Sequence, residues 1–228
     1  MKRYKIVYYI FLVLLSIVLM GNTNNNSTPF SERMFPPIHT EFTTFHYSGF
    51  IILFLMYYGF KGLLSLKKHI TNIRIKAIIL AVLIPLLMTQ LWEDGIKIYK
   101  SSYHNLNAIY SYYEENSISY RSEDNGAYIT GTIHLENLSD EKQDFFIKIT
   151  LPSYWDDSIV DKELFALEED LESKKSFTLY PKQEKVIEFV LNGSLLIENT
   201  SVSGSTHLFE YTLIHGKEEV NFVGDRSF

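Results

Sequence analysis

Asp156 and Asp157 stand side by side, directly after Tyr154 and Trp155. Paired carboxylates on a loop can bind calcium or divide acid and base roles between them. Tyr154, Trp155, Asp156 and Asp157 are therefore the candidate binding residues, although adjacent loop acids more often serve only as solvated charge. The other sets are weaker. His39, Glu41 and His46 carry donors that suit zinc, at a spacing that matches no metal motif. Asp140, Glu141 and Asp144 share a turn without calcium-loop spacing. His104, His134, His207 and His215 are scattered, and for His134 and His207, on strand patterns, pairing or exposure outweighs catalysis. There is no phosphate-cradling glycine loop, no Gly-x-Ser-x-Gly elbow and no His-Glu-x-x-His. The expectation is no catalytic residue, no metal, no cofactor and no enzyme activity.

Charge is segregated along the 228 residues. Residues 1–92 hold nine Lys/Arg and two acids, net +7, and residues 93–228 hold twelve Lys/Arg and twenty-five acids, net -13. The sum of -6 describes neither part. A strongly acidic second part disfavours nucleic acid and other polyanions as partners, and a basic protein or a metal ion would be easier. There is no cysteine, hence no disulfide, no thiolate chemistry and no lipoprotein anchor. Its absence and the richness in Tyr, Phe, Lys, Asn and Ile suit a bacterial cell-surface protein.

The basic part contains three apolar stretches. The first, within residues 1–20, follows Lys2, Arg3 and Lys5 and reads as a retained anchor or a signal peptide. The second covers residues 46–64 and the third 75–93, with Pro85 inside it. Gly49, Gly59 and Gly62 would allow close helix packing. Residues 65–74 are basic and read as a cytoplasmic loop by the positive-inside rule. Residues 21–45 then lie outside, with Asn24 to Thr28 as a flexible run. The expected topology has a cytoplasmic N-terminus, three transmembrane helices and an extracytoplasmic C-terminal domain in the cell membrane.

Residues 94–116 place Ile96, Tyr99, Tyr103, Leu106, Tyr110 and Tyr113 at helical steps, predicting a stalk or amphipathic helix. Over residues 117–228 the period becomes two. Ala127, Ile129, Gly131, Ile133 and Leu135 alternate with polar neighbours, and so do Phe145, Ile147, Ile149 and Leu151. Further runs follow around Phe177, Ile187 to Leu191, Phe209 to Leu213 and Val220. Asp161–Leu171 reads as one helix inserted between strands. Gly131 to Ser139 followed by Phe145 to Ile149 resembles the early strands of immunoglobulin-like domains on bacterial surfaces. That resemblance implies a β-sandwich of about seven strands. The expected fold class is membrane α plus all-β: three transmembrane helices followed by an extracytoplasmic immunoglobulin-like β-sandwich with one inserted helix. The expected function is a multi-pass membrane protein displaying that sandwich for binding or assembly, as an accessory subunit or sensor. Its partners would be the lipid bilayer and another membrane or envelope protein. The alternatives are a small transporter component, or an envelope-active enzyme using the Asp156–Asp157 loop.

Overall fold

The computed structural model describes residues 2–26, 28–40, 43–65, 90–123, 126–152, 155, 159–196, 203–207 and 209–224. The chain divides into two compact units, one of Met1–Thr23, Thr28–Gly95 and Ser227–Phe228, the other of Asn24–Ser27 and Ile96–Arg226.

The first unit contains α1 (Lys2–Met20), α2 (Phe30–Met34), the two-residue strands β1 (Ile38–His39) and β2 (Thr44–Phe45), and α3 (Ser48–Ser65). Helices α1 and α3 meet at small residues. A Cβ on Gly59 would stand 2.7 Å from Val13 Cγ2 and 3.2 Å from the Tyr9 carbonyl, so the missing side chain is what lets the backbones approach. On the outer faces of this pair, Val7, Phe11, Leu14, Phe50, Leu53 and Phe54 are exposed. Where α1 ends, Trp92 donates its indole N–H to the Asn22 carbonyl at 2.9 Å and meets Phe30 edge-on.

The three-span expectation is corrected here. Among the described residues one helix, Ser48–Ser65, is long and apolar enough to cross a membrane, and the apolar part of α1, Val7–Met20, is shorter. A spanning helix needs about 17 to 25 apolar residues. The apolar pattern of α1 is also that of a helix packed on its neighbour, which is how Val13 and Tyr9 are used. Most of the third predicted span lies outside the described residues, and 90–101 is a helix that carries Glu93, Asp94, Lys97 and Lys100. With one qualifying helix, the alternation that placed the N-terminus in the cytoplasm and the C-terminal domain outside loses its basis. The multi-pass reading, the localisation in the cell membrane and the partnership with a bilayer or a membrane protein fall with it.

Among the described residues, the second unit is built on two open antiparallel sheets of five strands each. The first contains β3 (Ile109–Ser111), β4 (Ser117–Glu123), β5 (Gly126–Asn137), β9 (Glu184–Ser194) and β10 (Ser203–Thr206). The second contains β6 (Gln143–Thr150), β7 (Glu163–Phe165), β8 (Ser176–Leu179), β11 (Glu210–His215) and β12 (Glu218–Val223). Strand β5 is the spine of the first sheet: β9 runs along one side for its full length, and β4 and β3 share the other. Strand β6 plays that part in the second, with β11 on one side and β8 and β7 in succession on the other.

Alternation explains the core. Ala127, Ile129, Ile133 and Leu135 of β5 are fully buried, as are Ile147 and Ile149 of β6, Leu179 of β8, Leu191 of β9, and Tyr211 and Leu213 of β11. All join one apolar cluster. Burial of each large aliphatic side chain is worth about 1.5–3 kcal/mol. Tyr211 and Phe222 stack at 4.9 Å with an 8° interplanar angle.

The expectation of an immunoglobulin-like sandwich with one inserted helix is corrected to these two open sheets, each with one side shared by short strands, β3 and β10 in the first and β7 and β8 in the second. No helix forms over Asp161–Leu171. Glu163–Phe165 pairs with Lys148–Thr150, and Leu167 bridges both Val190 and Lys174. The turn that follows is held by Asp170, whose carboxylate accepts the Glu172 and Ser173 N–H groups at 2.9 Å. The three-residue step between Leu164 and Leu167 satisfies a helix and a strand-plus-turn alike, and free pairing positions on β6 decide between them.

The segment Asn24–Ser27 is part of this second unit. Asn24 is buried, donates to the Ser111 carbonyl at 2.8 Å and accepts the Ser111 N–H at 2.8 Å. Its amide thus copies the pairing of a backbone peptide. Asn26 bridges Val223 in parallel, and the Val223 N–H donates to the Asn25 carbonyl at 3.0 Å. Asn24 to Asn26, within the run read as flexible, are therefore seated against β3 and the outer edge of β12. Asn24→Ala strands both Ser111 groups, and the expected loss is about 1–3 kcal/mol of stability, read from urea denaturation.

Candidate functional site

Of the sequence-predicted binding residues, one is described. Trp155 is buried in the core, its ring 4.5 Å from that of Tyr120. Tyr154, Asp156 and Asp157 lie outside the described residues. Of the zinc-type donors, His46 Nδ1 is 2.8 Å from Glu32 Oε1, and Glu41 lies outside the described residues. Among the described residues, no group of three or more histidines and acids can hold a metal ion. Asp144 pairs with Lys142 at 3.0 Å and accepts from Thr178, and these hydrogen bonds hold its carboxyl below the usual carboxylate range.

A cluster of charged and polar side chains lies on the outward face of the first sheet. On β5 the residues that alternate with the core positions point outward, which places His134 and Glu136 on that face. Such positions ordinarily meet water. Here the chain returns over them. After η1, the 3-10 turn Leu106–Ala108, β3 leads into Tyr112 and then into η2, the 3-10 turn Tyr113–Glu115. The Tyr112 N–H donates to the His134 carbonyl at 3.0 Å, and its ring stacks on the imidazole at 4.4 Å.

Three groups close a triangle. Lys97 Nζ donates to Glu136 Oε2 at 2.8 Å and to Tyr112 Oη at 2.7 Å, while Tyr112 donates to Glu136 Oε2 at 2.6 Å. Burial works against charge on Lys97, but the bonds to Glu136 and Tyr112 outweigh it and hold the amine above its ordinary value. Burial would likewise raise Glu136, and the same partners bring it below the usual carboxylate range. Tyr112 is pushed up to about 12, first by burial and then by its bond to Glu136. A phenol held protonated in this way is a fixed donor and not a nucleophile.

Beside the triangle, His134 lies between two carboxylates. Nδ1 is 2.6 Å from Glu115 Oε2 and Nε2 is 2.9 Å from Glu184 Oε1. The imidazole is nearly buried, at 10% exposure, whereas the Glu115 and Glu184 side chains are 60% and 53% exposed. The acids therefore face water on one side and the ring on the other.

A second polar group lies deeper. Lys100 is 4% exposed, with its amine donating to the carbonyls of Ile109 at 2.7 Å and Asn107 at 3.2 Å, over the ring of Phe222. Burial pushes it down to about 7. Ser111 accepts the Tyr211 hydroxyl at 2.5 Å and the Asn116 amide at 3.2 Å. The Tyr113 hydroxyl is buried without a hydrogen bond, and burial drives its titration far upward.

Sequence reasoning marked His134 only as a strand histidine. The available signal was the outward period-two face itself: His134 and Glu136 on one strand, with Tyr110 opposite Glu136 on the next. No protein-family model, no curated protein and no solved structure matches the chain.

Proposed function

We propose that the second unit is a non-catalytic binding module for a cationic partner, a lysine- or arginine-rich protein segment. The charge carries this reading: twenty-three acids against twelve Lys/Arg in the residues of this unit, net -11. A field of that sign attracts polycations and repels polyanions before any contact is made. The half-exposed carboxylates of Glu115 and Glu184 supply contact points on a rigid strand and a short turn. The non-catalytic part rests on the chemistry of the groups that meet: Tyr112 is held as a donor, Lys97 is neutralised by Glu136, and Lys100 is turned to backbone carbonyls.

A fluorescent oligolysine peptide titrated into the whole protein at low salt tests this. Binding is expected to weaken steeply with added salt, and Glu115→Gln with Glu184→Gln should weaken it about fivefold, roughly 1 kcal/mol. Equal affinity for an oligoglutamate peptide, or binding indifferent to salt, would overturn the reading.

A further inference from the structure

We infer that His134 is the pin of a pH-sensitive clasp joining η2 to β9 across β5. An ionised carboxylate only accepts hydrogen bonds, and each ring nitrogen of His134 faces one, Glu115 at 2.6 Å and Glu184 at 2.9 Å. Both bonds form together only when both nitrogens carry hydrogen, as in the imidazolium. A neutral ring keeps one N–H and turns a lone pair toward the other carboxylate, acceptor against acceptor. Histidine is the side chain whose charge ordinarily changes between about pH 5 and 8.

The surroundings decide which side lets go. Glu184 opens β9 and is held by backbone pairing with Glu136. Glu115 ends a single 3-10 turn whose side chain is the more exposed of the two. Deprotonation therefore releases Glu115 and removes one tie on the turn, while Tyr112 and Asn116 stay bonded to the His134 backbone. Other charged or titratable groups face the ring from each packed element. Glu136 on β5 favours the charged ring, Lys97 from the helix opposes it, and Tyr112 stacks on it as a neutral phenol. The clasp is closed in acid and open in base, whatever the face binds.

Hydrogen exchange of the full chain, corrected for intrinsic rates, tests this at residues 112–116. Protection in the wild type is expected to fall about tenfold between an acidic and a basic pH, the loss of one charge-assisted bond. In E115Q the amide can donate to a neutral ring or accept from a charged one, so protection there should be the same at both pH values. H134Q should also lose the dependence, and if it fails to fold, E115Q decides, because that side chain is largely in water. Unchanged protection in the wild type, or a fall that persists in E115Q, would overturn the clasp. The oligolysine titration reads the binding proposal separately.

Discussion

Gly131→Val is expected to remove about 3 kcal/mol of stability, a large fraction of the roughly 5–15 kcal/mol by which a domain is ordinarily stable. Gly131 sits at the centre of β5, paired with Ile118 on one side and Phe189 on the other. A Cβ there would lie against the Phe189 ring, 2.7 Å from Ile118 Cγ2 and 2.8 Å from the Ser117 carbonyl. Side chains can turn away, but the carbonyl belongs to the neighbouring strand and cannot move without breaking β4 from β5. The two neighbouring residues close over the glycine and are themselves almost fully buried. Alanine at the same place should cost less than valine and still be measurable, because its single methyl meets the same carbonyl. Urea denaturation followed by circular dichroism checks both. Wild-type stability in Gly131→Val would mean that the strands are not packed in this register.

The second large effect concerns pH. Lys100 is charged at a cost when folded, and burial pushes it down to about 7 from an ordinary value of 10.5. Below pH 7 both folded and unfolded chains carry the proton, and the cost is present in full. Between these two values the unfolded chain holds a proton that the folded chain has lost. Stability attributable to this group therefore rises with pH across that window, by about 1.4 kcal/mol per unit at most. Above the upper value both forms are neutral and the rise stops. Lys100→Met removes the titration, so the difference in stability between the two proteins should change with pH only inside that window. Lys100→Arg cannot shed its charge and should be the least stable of the three above pH 8. Thermal unfolding across the window reads this directly. Parallel curves for wild type and Lys100→Met would show that the amine is not desolvated.

Much of the core is legible in the sequence, because one rule governs it. In a strand with one buried face, alternate residues are apolar, and Ile129, Ile133, Ile147 and Leu213 are fully buried for that reason. The rule fails where pairing outweighs local pattern. Leu164 and Leu167 fit a helix by spacing, yet the hydrogen-bonding edge of β6 claims Glu163–Phe165. It fails for the apolar helices too, since a helix that packs on a neighbour and one that crosses a bilayer share a composition. Trp155 shows the same limit at the level of a site. Its neighbours in sequence are polar, but its ring is taken by Tyr120, which lies on β4. The cluster at His134 was hidden because Glu115 and Glu184 come from elsewhere in the chain and converge only when β9 lies beside β5.

The seat of Asn24, Asn25 and Asn26 bears on the order in which the chain is made. Asn24 meets Ser111 across 87 residues, and Asn25 meets Asn221 across 196. Synthesis runs from the N-terminus, so these side chains leave the ribosome long before the strand that receives them exists. Until then they must stay in water without collapsing onto other apolar surface, and a run of asparagines and serine is fitted to that wait. The polar composition that looks like an unstructured loop is thus also the composition a latecomer strand partner needs: content in solvent first, and able to offer amides to a sheet edge at the end.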